Sequence, residues 1–437
     1  MQEILDRMPS WKNFYTIDAH ERSTDAFVSE HTGATTTLLG HSRNGHPIRS
    51  ISIGKGARNV VLVGFPHPNE PVGALMLEYL LIVLAENDFG FRWHIIKCID
   101  PDGARLNEEW FSRPYDLRNH IYHYYRSPSY LQIDWTFPIE YKTLSFQNPL
   151  PETLAFKRLL DETRPELLYS LHNSTFGGVY WYLTERCPQI YARLHSATEK
   201  QGLPLYLGEP EVPYAVAYER AIYEAFTVAD EYEYLLKNSA ENPSKVMKAG
   251  TSSDDYARKY NTFSVVCEVP YLIHPKVADY TESDVLRLEA VSLRLGDEKR
   301  LFVTVKEIYE RIEGRNESSP FKPVIEHFLN TFQGFHDADV KWASSLEGYA
   351  TEAELFDNTV VLPLQNTLLL GELWRFVDES SPRDKETMKE EIAREIEERV
   401  QQFESKCPYT KIPIRNIVAV QLETLFACLD YVKGRSP

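Results

Sequence analysis

The chain has 437 residues, of which 43% are hydrophobic, and a formal net charge of -17. It is long enough for one large domain with a smaller one, and its composition is not that of a disordered or fibrous protein. An excess of negative charge repels nucleic-acid phosphates and anionic lipid headgroups, so we discount nucleic acid and membrane surfaces as partners.

The cysteines and the N-terminal segment bear on the compartment. Five cysteines are scattered without any Cys-x-x-Cys spacing. This pattern argues against a disulfide scaffold or a cysteine-zinc site and suits a reducing compartment. Residues 1–14 lack the basic start and apolar run of a signal peptide. The most apolar stretch, 74–85, contains Glu78 and is shorter than the ~20 residues of a spanning helix. We therefore expect a cytoplasmic protein.

Up to about residue 280, predicted strands alternate with predicted helices. Short apolar or alternating runs predict strands near 36–39, 48–53, 59–65, 92–99, 166–171, 179–184 and 262–269. Helical spacing of apolar residues predicts helices near 74–85, 154–162 and 188–201, after a helical lead-in over 1–32. Residues 104–150 are expected to be irregular. This order predicts an α/β fold with a mixed, mainly parallel central sheet and helices on both faces.

Beyond residue 280 the pattern becomes mostly helical. Amphipathic periodicity predicts long helices over 283–313, 323–333 and 383–406, whereas 340–375 and 408–437 are expected to be less regular. We place a domain boundary near 280, between a catalytic domain (1–280) and a mostly helical C-terminal domain (281–437). The helical region carries no recognisable motif. It is a candidate cap for the active site, partner-binding surface or oligomer contact.

Four side chains near the carboxyl ends of predicted strands carry the chemistry. His67 and Glu70 follow the strand at 59–65, His172 follows the strand at 166–171, and Glu268 ends the strand at 262–269. The carboxyl ends of strands in an open α/β sheet form its active sites. Two imidazoles and a carboxylate suit a catalytic zinc, which keeps one position open for water, and a further carboxylate serves as base.

Several short motifs in order resemble those of the zinc metallocarboxypeptidase family over roughly residues 36–275. His67 and Glu70 match the family's His-x-x-Glu zinc pair, and His172 matches its third ligand. Three further segments resemble the family's Gly-x-Ser-x-x-Gly-Arg-x-Ile, Asn-Pro-Asp-Gly and Gly-Gly-Ser-x-Asp motifs: Gly40 to Ile48, Asp100 to Gly103 and Gly250 to Asp254. Glu268 follows Asp254 by fourteen positions, as in the family. The resemblance, to a divergent bacterial type, implies the family's fold, one zinc per chain and amide hydrolysis.

The resemblance also implies roles for further residues. Glu268 would act as general base and pass its proton to the leaving amine. An arginine in the irregular segment would stabilise the developing oxyanion; Arg113 and Arg118 are the catalytic candidates, and Arg126 is a third. The candidates for substrate binding are Arg126, Asn173, Ser174 and Tyr214. Val246 stands where the family has its active-site tyrosine, so Tyr214, Tyr218 and Tyr223 are considered in its place.

One segment departs from the family and leaves the substrate open. Where the family reads a terminal carboxylate with an Asn-Arg pair, this chain has Asp134-Trp135-Thr136, and neither Trp nor Thr replaces a bidentate arginine. His67-Pro68-Asn69-Glu70-Pro71 also resembles the aspartoacylase and succinylglutamate desuccinylase branch. A carboxypeptidase acting on a peptide or peptide-like substrate is therefore weighed against an amidase or deacylase of small molecules, and against a non-enzymatic binding protein. A rival metal pair, His120 and His123, lacks a base and a third ligand, and we interpret it as pocket lining or surface.

Overall fold

A computed structural model describes residues 2–239 and 241–435. Sixteen strands are present in this part of the chain. They are β1 Thr35–His41, β2 Pro47–Ile53, β3 Arg58–Val63, β4 Phe91–Ile96, β5 Ile139–Tyr141, β6 Leu144–Phe146, β7 Leu167–Ser170, β8 Ser174–Phe176, β9 Tyr180–Leu183, β10 Ala217–Glu219, β11 Ile222–Glu224, β12 Phe263–Glu268, β13 Pro270–Ile273, β14 Glu282–Leu286, β15 Tyr349–Thr351 and β16 Thr410–Lys411.

Seventeen α-helices occur in the same described residues. They are α1 Gln2–Asp6, α2 Ile17–Glu30, α3 Val72–Glu86, α4 Pro101–Arg105, α5 Glu108–Phe111, α6 Leu117–His123, α7 Pro151–Thr163, α8 Pro188–Gln201, α9 Val228–Asn238, α10 Pro243–Val246, α11 Ser253–Ala257, α12 Arg287–Arg311, α13 Phe321–Ala343, α14 Glu352–Phe356, α15 Leu362–Glu379, α16 Lys385–Lys406 and α17 Ile414–Gly434. Short 3-10 turns occur at Ser129–Leu131, Ile133–Trp135, Arg258–Tyr260 and Pro275–Ala278, and a π-helical turn at Asp357–Val361.

Nine strands form the main sheet, in the order β1-β2-β4-β3-β7-β12-β9-β11-β10. Its centre, β4-β3-β7-β12, is parallel, whereas β1, β2, β9 and β10 each make antiparallel pairings. Short sheets β16-β13-β8, β14-β15 and β5-β6 lie outside it. The central strands read as continuous apolar runs because both of their faces are covered.

Alternate residues of the central strands enter two different cores. Val60 and Leu62 of β3 pack into the larger core with α3 and α17, whereas Val61 and Val63 pack with α7 on the opposite face. This division follows from the two-residue period of a strand. The predicted fold class, a mixed α/β sheet with helices on both faces and a mostly helical C-terminal region, is confirmed.

The C-terminal region is more helical than its sequence pattern predicts. The predicted helices correspond to α12, α13 and α16, but α13 continues to Ala343, ten residues past the predicted end at 333. The expectation that 340–375 and 408–437 are less regular is wrong, because α15 and α17 are long helices there. Residues 417–429 of α17 are all buried, so this helix shows no polar face and hence no amphipathic period.

The helical region contacts the main sheet through α17, which touches β7 and β12. α17 packs against α3 and α8, and α15 packs against α6. The boundary near residue 280 stays a prediction about the organisation of the chain. No helix in the described ranges combines the length and apolar character that crossing a membrane requires.

Candidate metal centre

Three neighbouring parallel strands bring the predicted site residues to one edge of the sheet. Val63 of β3 pairs with Ser170 of β7, which pairs with Val266 of β12. His172 and Glu268 both lie two residues beyond this line, and His67 lies four residues beyond it. Residues at matched positions of adjacent strands are about 5 Å apart, so the register alone places His172 beside Glu268.

His67, Glu70 and His172 converge as the sequence predicts. One potential ligand atom from each lies within 4.8 Å of the others, and all three side chains are buried. The carboxylate Oε2 of Glu70 is 3.0 Å from Nδ1 of His172, and the two imidazole centroids are 4.9 Å apart. In the described part of the chain, no other group of three His, Cys, Asp or Glu residues meets this geometry.

Local backbone geometry explains how the loop after β3 reaches His172. Phe65 is buried in the left-handed region at φ 52°, which turns the chain sharply between the strand and His67. A non-glycine residue in this region is strained and is held there by its surroundings. At Gly73, in the first turn of α3, an added Cβ would lie 2.4 Å from the Cβ of Leu171. Glycine at this position lets α3 approach Leu171, which directly precedes His172 in the chain.

The groups around Nε2 of His172 orient its imidazole ring. Nε2 lies 3.0 Å from the hydroxyl of Ser170 and 3.7 Å from the carboxylate of Asp134. Nδ1 therefore faces Glu70, and the partners of Nε2 fix the ring as the outer partners of metal-binding histidines commonly do.

Unpaired buried atoms test whether this group fits a metal ion. Nδ1 of His67 is buried without a hydrogen-bond partner among the described residues, and Oε2 of Glu70, although 3.0 Å from Nδ1 of His172, makes no hydrogen bond of normal geometry within them. Buried polar atoms are normally hydrogen-bonded, and those that are not call for an explanation such as an ion. Two imidazoles and one carboxylate are the donor set of several catalytic zinc sites. The residues present therefore fit a zinc ion.

The protein environment shifts the pKa values of His67, His172 and Glu268. Burial lowers the pKa of His67 well below its usual value, and Arg126 and His172 add to this effect. Burial opposes the charged form of His172 too, but the carboxylates of Glu70, Asp134 and Glu268 outweigh it and raise its pKa well above the usual range. Burial, with Glu70 nearby, raises the pKa of Glu268 to about 8. A bound divalent cation would instead lower the pKa of nearby carboxylates, because it favours their charged form.

Glu268 lies beside the three candidate metal ligands. Its Oε1 is 3.7 Å from Nδ1 of His172, and its Oε2 is a buried atom without a hydrogen-bond partner in the described chain. Glu268 is the last residue of β12 and lines the same cavity as His67, Glu70 and His172.

Of the three predicted arginines, only Arg126 lines this cavity. Its Nη1 is 3.5 Å from Oε1 of Glu70. Arg113 is 63% exposed and pairs with Glu109, whereas Arg118 is held by Glu397 and Glu404 of α16. Neither contributes to the cavity, so the prediction that Arg113 or Arg118 stabilises an oxyanion is corrected. Spacing in an irregular segment does not determine which arginine turns inward.

The remaining predicted substrate residues occupy different surroundings. Asn173 and Ser174 line the cavity. The side-chain amide of Asn173 is engaged at both ends, because Oδ1 accepts from the Val72 amide at 3.2 Å and Nδ2 donates to the Tyr271 hydroxyl at 2.6 Å. Tyr214 lines an adjoining cavity instead. Substrate binding by these residues stays a prediction.

The rival histidine pair forms no second centre. Nδ1 of His120 lies 3.0 Å from the Tyr115 hydroxyl, and its ring packs 4.1 Å from the ring centroid of Trp110. His123 makes a contact with the carbonyl of Asn119. His120 is buried and lines neither the metal-centre cavity nor the cavity that contains Tyr214, so the interpretation of this pair as pocket lining or surface is wrong for His120.

The cavity has a volume of about 540 Å³, and the C-terminal helices complete its wall. Leu301 of α12, Phe328 of α13 and Leu368 of α15 face the metal-centre residues across it. Glu372 of α15 accepts a hydrogen bond from the backbone amide of Arg126 at 2.8 Å. These residues were missed from the sequence because nothing in an amphipathic helix marks which apolar positions face a distant cavity rather than the core.

Proteins similar to this chain are found among the solved structures. No family model matches the sequence, and no curated protein is significantly similar to it. The solved structures with a similar arrangement include a metallocarboxypeptidase from Burkholderia cenocepacia (14% identity, 59% of this chain, 60% of that chain, TM-score 0.34). A metallocarboxypeptidase from Pseudomonas aeruginosa matches at 14% identity over 59% of this chain and 60% of its own, with a TM-score of 0.36.

A mammalian structure matches to a similar extent. Bovine thrombin-activatable fibrinolysis inhibitor, in complex with tick carboxypeptidase inhibitor, shares 9% identity over 58% of this chain and 86% of its own, with a TM-score of 0.37. The aligned region spans only about 60% of the two bacterial chains. Because the sequence identities are 9–14% and the TM-scores 0.34–0.37, these similarities support no conclusion about activity. The fold and the site define a mixed α/β protein with a candidate His-Glu-His metal centre.

Proposed function

We propose that this chain is a zinc-dependent amide hydrolase, a metallocarboxypeptidase-like enzyme acting on a peptide or peptide-like substrate. The observation that carries the proposal is the convergence of His67, Glu70 and His172 within 4.8 Å, with Glu268 beside them. The solved structures of similar arrangement are metallocarboxypeptidases, which agrees with the proposal without testing it.

His67, Glu70 and His172 would hold the ion. A zinc ion held there would supply Lewis acidity and would lower the pKa of water towards neutrality. Glu268 would accept a proton from the attacking water at its carboxylate and deliver it to the leaving amine. Arg126 presents its guanidinium where negative charge develops on the scissile carbonyl oxygen, and Glu372 holds the Arg126 backbone in place.

Replacing the base without altering the ligands tests this assignment. Glu268→Gln keeps the shape of the side chain and removes its ability to accept a proton. We expect the variant to keep its metal and lose at least about a thousandfold in kcat, within the range found when a catalytic group is removed. Glu224→Gln, at the end of strand β11, two strands away from β12 in the main sheet and outside the cavity lining, is the matched control. Retained turnover in Glu268→Gln would remove Glu268 from this role.

A second candidate function is hydrolysis of acylated amino acids or other small amides. Trp135 lines the cavity, Thr136 is buried with its hydroxyl bonded to Thr153, and neither reads a carboxylate. A cavity of about 540 Å³ completed by helices suits a small ligand. Peptides with free and with amidated C-termini separate the two candidates. A strict need for the free carboxylate favours the carboxypeptidase, and hydrolysis of N-acyl amino acids favours the deacylase.

The proposed enzyme works in a reducing compartment, the cytoplasm. All five cysteines are free thiols, and four of them are buried. Unpaired buried cysteines support this placement, since proteins of oxidising compartments commonly use their cysteines in disulfides.

A further inference from the structure

A second cavity of about 300 Å³ adjoins the metal-centre cavity. Trp135, Glu211, Phe226 and His327 line both cavities, so the two share a wall. Trp135 directly follows Asp134, whose carboxylate is 3.7 Å from His172. The side cavity therefore opens close to the place where the scissile amide would lie.

Aromatic side chains form a continuous wall of this side cavity. The ring centroids of Trp135 and Phe226 are 5.7 Å apart in a stacked arrangement, those of Phe226 and Tyr214 are 5.7 Å apart edge to face, and those of Tyr214 and Tyr234 are 5.4 Å apart. Phe335 of α13 adds a fifth aromatic lining residue. Such a wall offers the negative faces of π-systems to a ligand.

Carboxylates accompany the aromatic wall. Glu211, Glu231 and Asp339 line the side cavity. Asp339 already accepts a hydrogen bond from the Tyr234 hydroxyl at 2.6 Å. The side chain of Glu231 makes no hydrogen bond or ion pair with any residue of the described ranges. Lys248, the one Lys or Arg side chain in the lining, is exposed and likewise forms no ion pair within those ranges.

We propose that this side cavity binds an ammonium or guanidinium group of the substrate, between the aromatic wall and the Glu231 carboxylate. Because the side cavity would be a substrate subsite of the metal centre, this inference rests on the proposed hydrolase function. A cation gains from both partners at once, by cation–π attraction to Trp135 or Tyr214 and by a charge-assisted hydrogen bond to Glu231. An uncharged group of equal size lacks the cation–π attraction and the attraction between opposite charges, although a hydroxyl can still donate a hydrogen bond to Glu231.

Binding of a matched ligand pair to the intact zinc-loaded protein tests the subsite without requiring turnover. The probes are n-butylammonium and its uncharged isostere 1-butanol, measured by saturation-transfer NMR or calorimetry. The wild type is expected to bind n-butylammonium about tenfold more tightly, the preference that such paired contacts typically give. Equal affinity for the two probes would overturn the proposal, and this result needs no variant to be interpreted.

A variant locates the preference in the side cavity. Glu231→Gln keeps the size of the side chain and removes its charge, and it is expected to bring the two affinities to within about twofold. Glu233→Gln makes the same substitution on the same helix α9, at a carboxylate that lies outside the lining and bonds to Tyr141. The control is expected to keep the wild-type preference. An unchanged preference in Glu231→Gln would also overturn the proposal.

Turnover distinguishes failure of the subsite from failure of the function. Amide substrates that carry a 4-aminobutyl group or an n-butyl group are compared by kcat/KM, and the amine is expected to be favoured about tenfold. Hydrolysis of both at equal rates would overturn the subsite and leave the hydrolase intact. Selective binding of n-butylammonium without hydrolysis of any amide would support the subsite and contradict the hydrolase.

Discussion

The side-chain amide of Gln421 donates a hydrogen bond from Nε2 to the backbone carbonyl oxygen of His172, at 2.7 Å. Gln421 lies fully buried in α17, the last helix of the chain, 249 positions from its partner. The same helix contacts the sheet again through Thr424, whose hydroxyl receives the Trp181 indole N–H at 3.1 Å. The last helix of the chain thus holds the backbone of His172, a candidate metal ligand, by a direct hydrogen bond.

Loss of this support should weaken metal binding. Gln421→Met keeps the length of the side chain but cannot donate to the His172 carbonyl, so the loop that carries the imidazole gains freedom. We expect about tenfold weaker zinc affinity, at the lower end of the effect of mutating groups that orient metal ligands. Competition with a fluorescent chelator measures the change.

A matched variant separates this effect from general destabilisation. Thr367→Val also removes one buried hydrogen bond in the C-terminal region, the one between its hydroxyl and the Pro363 carbonyl. We expect it to leave zinc affinity unchanged. Equal affinities for Gln421→Met and the wild type would show that Gln421 has no role in holding His172.

The guanidinium of Arg126 should matter for rate more than for metal binding. Arg126→Ala removes the cation closest to Glu70 in the cavity, and we expect kcat to fall about a hundredfold, as for the loss of one oxyanion donor. Steady-state kinetics and metal analysis of the same preparation measure both effects.

Two other arginines provide the comparison for Arg126. Arg113→Ala and Arg118→Ala remove ion pairs that lie away from the cavity, and we expect wild-type kcat for both. A hundredfold loss in either variant, with a near-normal Arg126→Ala, would restore the assignment that the sequence pattern favours.

Stability should fall in acid because of His120. Burial lowers the pKa of His120 to about 3, so its imidazole stays neutral in the folded protein while it becomes protonated below about 6.5 after unfolding. Between these values the unfolded state binds the extra proton, so the contribution of His120 to stability is lost as pH falls from about 6.5 towards 3.

The measurement compares urea unfolding of the wild type and His120→Gln at pH 7 and pH 5. Gln at this position has no titrating ring, and we expect it to remove about 2 kcal/mol of the pH-dependent change between these values. His41→Gln, at an exposed position, is the control and should leave the pH dependence as it is. An unaltered pH dependence in His120→Gln would contradict the account.

The sequence predicts the main sheet better than the helices that enclose it. Continuous apolar runs such as 59–65 identify central strands, and the polar residue that follows each run identifies the functional edge. In α17 the reverse holds, because burial on every side removes the period by which a helix is recognised. The polar residues Gln421 and Thr424 in this helix also suggest a loop. Their hydrogen bonds to His172 and Trp181, which allow them to be buried, cannot be identified from the sequence.

The same limit applies to the site. The metal group was predictable because His67, Glu70 and His172 end or follow strands whose register aligns them. The sequence did not distinguish Arg126 from the other two candidate arginines. The structure places Arg113 and Arg118 in ion pairs away from the cavity. The aromatic wall and Glu231 come from segments without strand register, so only the tertiary structure brings them together.

The metal content of the purified protein, determined together with zinc-edge X-ray absorption, shows whether His67, Glu70 and His172 hold a zinc ion. We expect one zinc per chain, bound by two imidazole nitrogens and a carboxylate oxygen at about 2.0–2.2 Å, and loss of the ion in His172→Ala. A protein without stoichiometric divalent metal, or one whose metal coordination is unchanged in His172→Ala, would contradict this expectation.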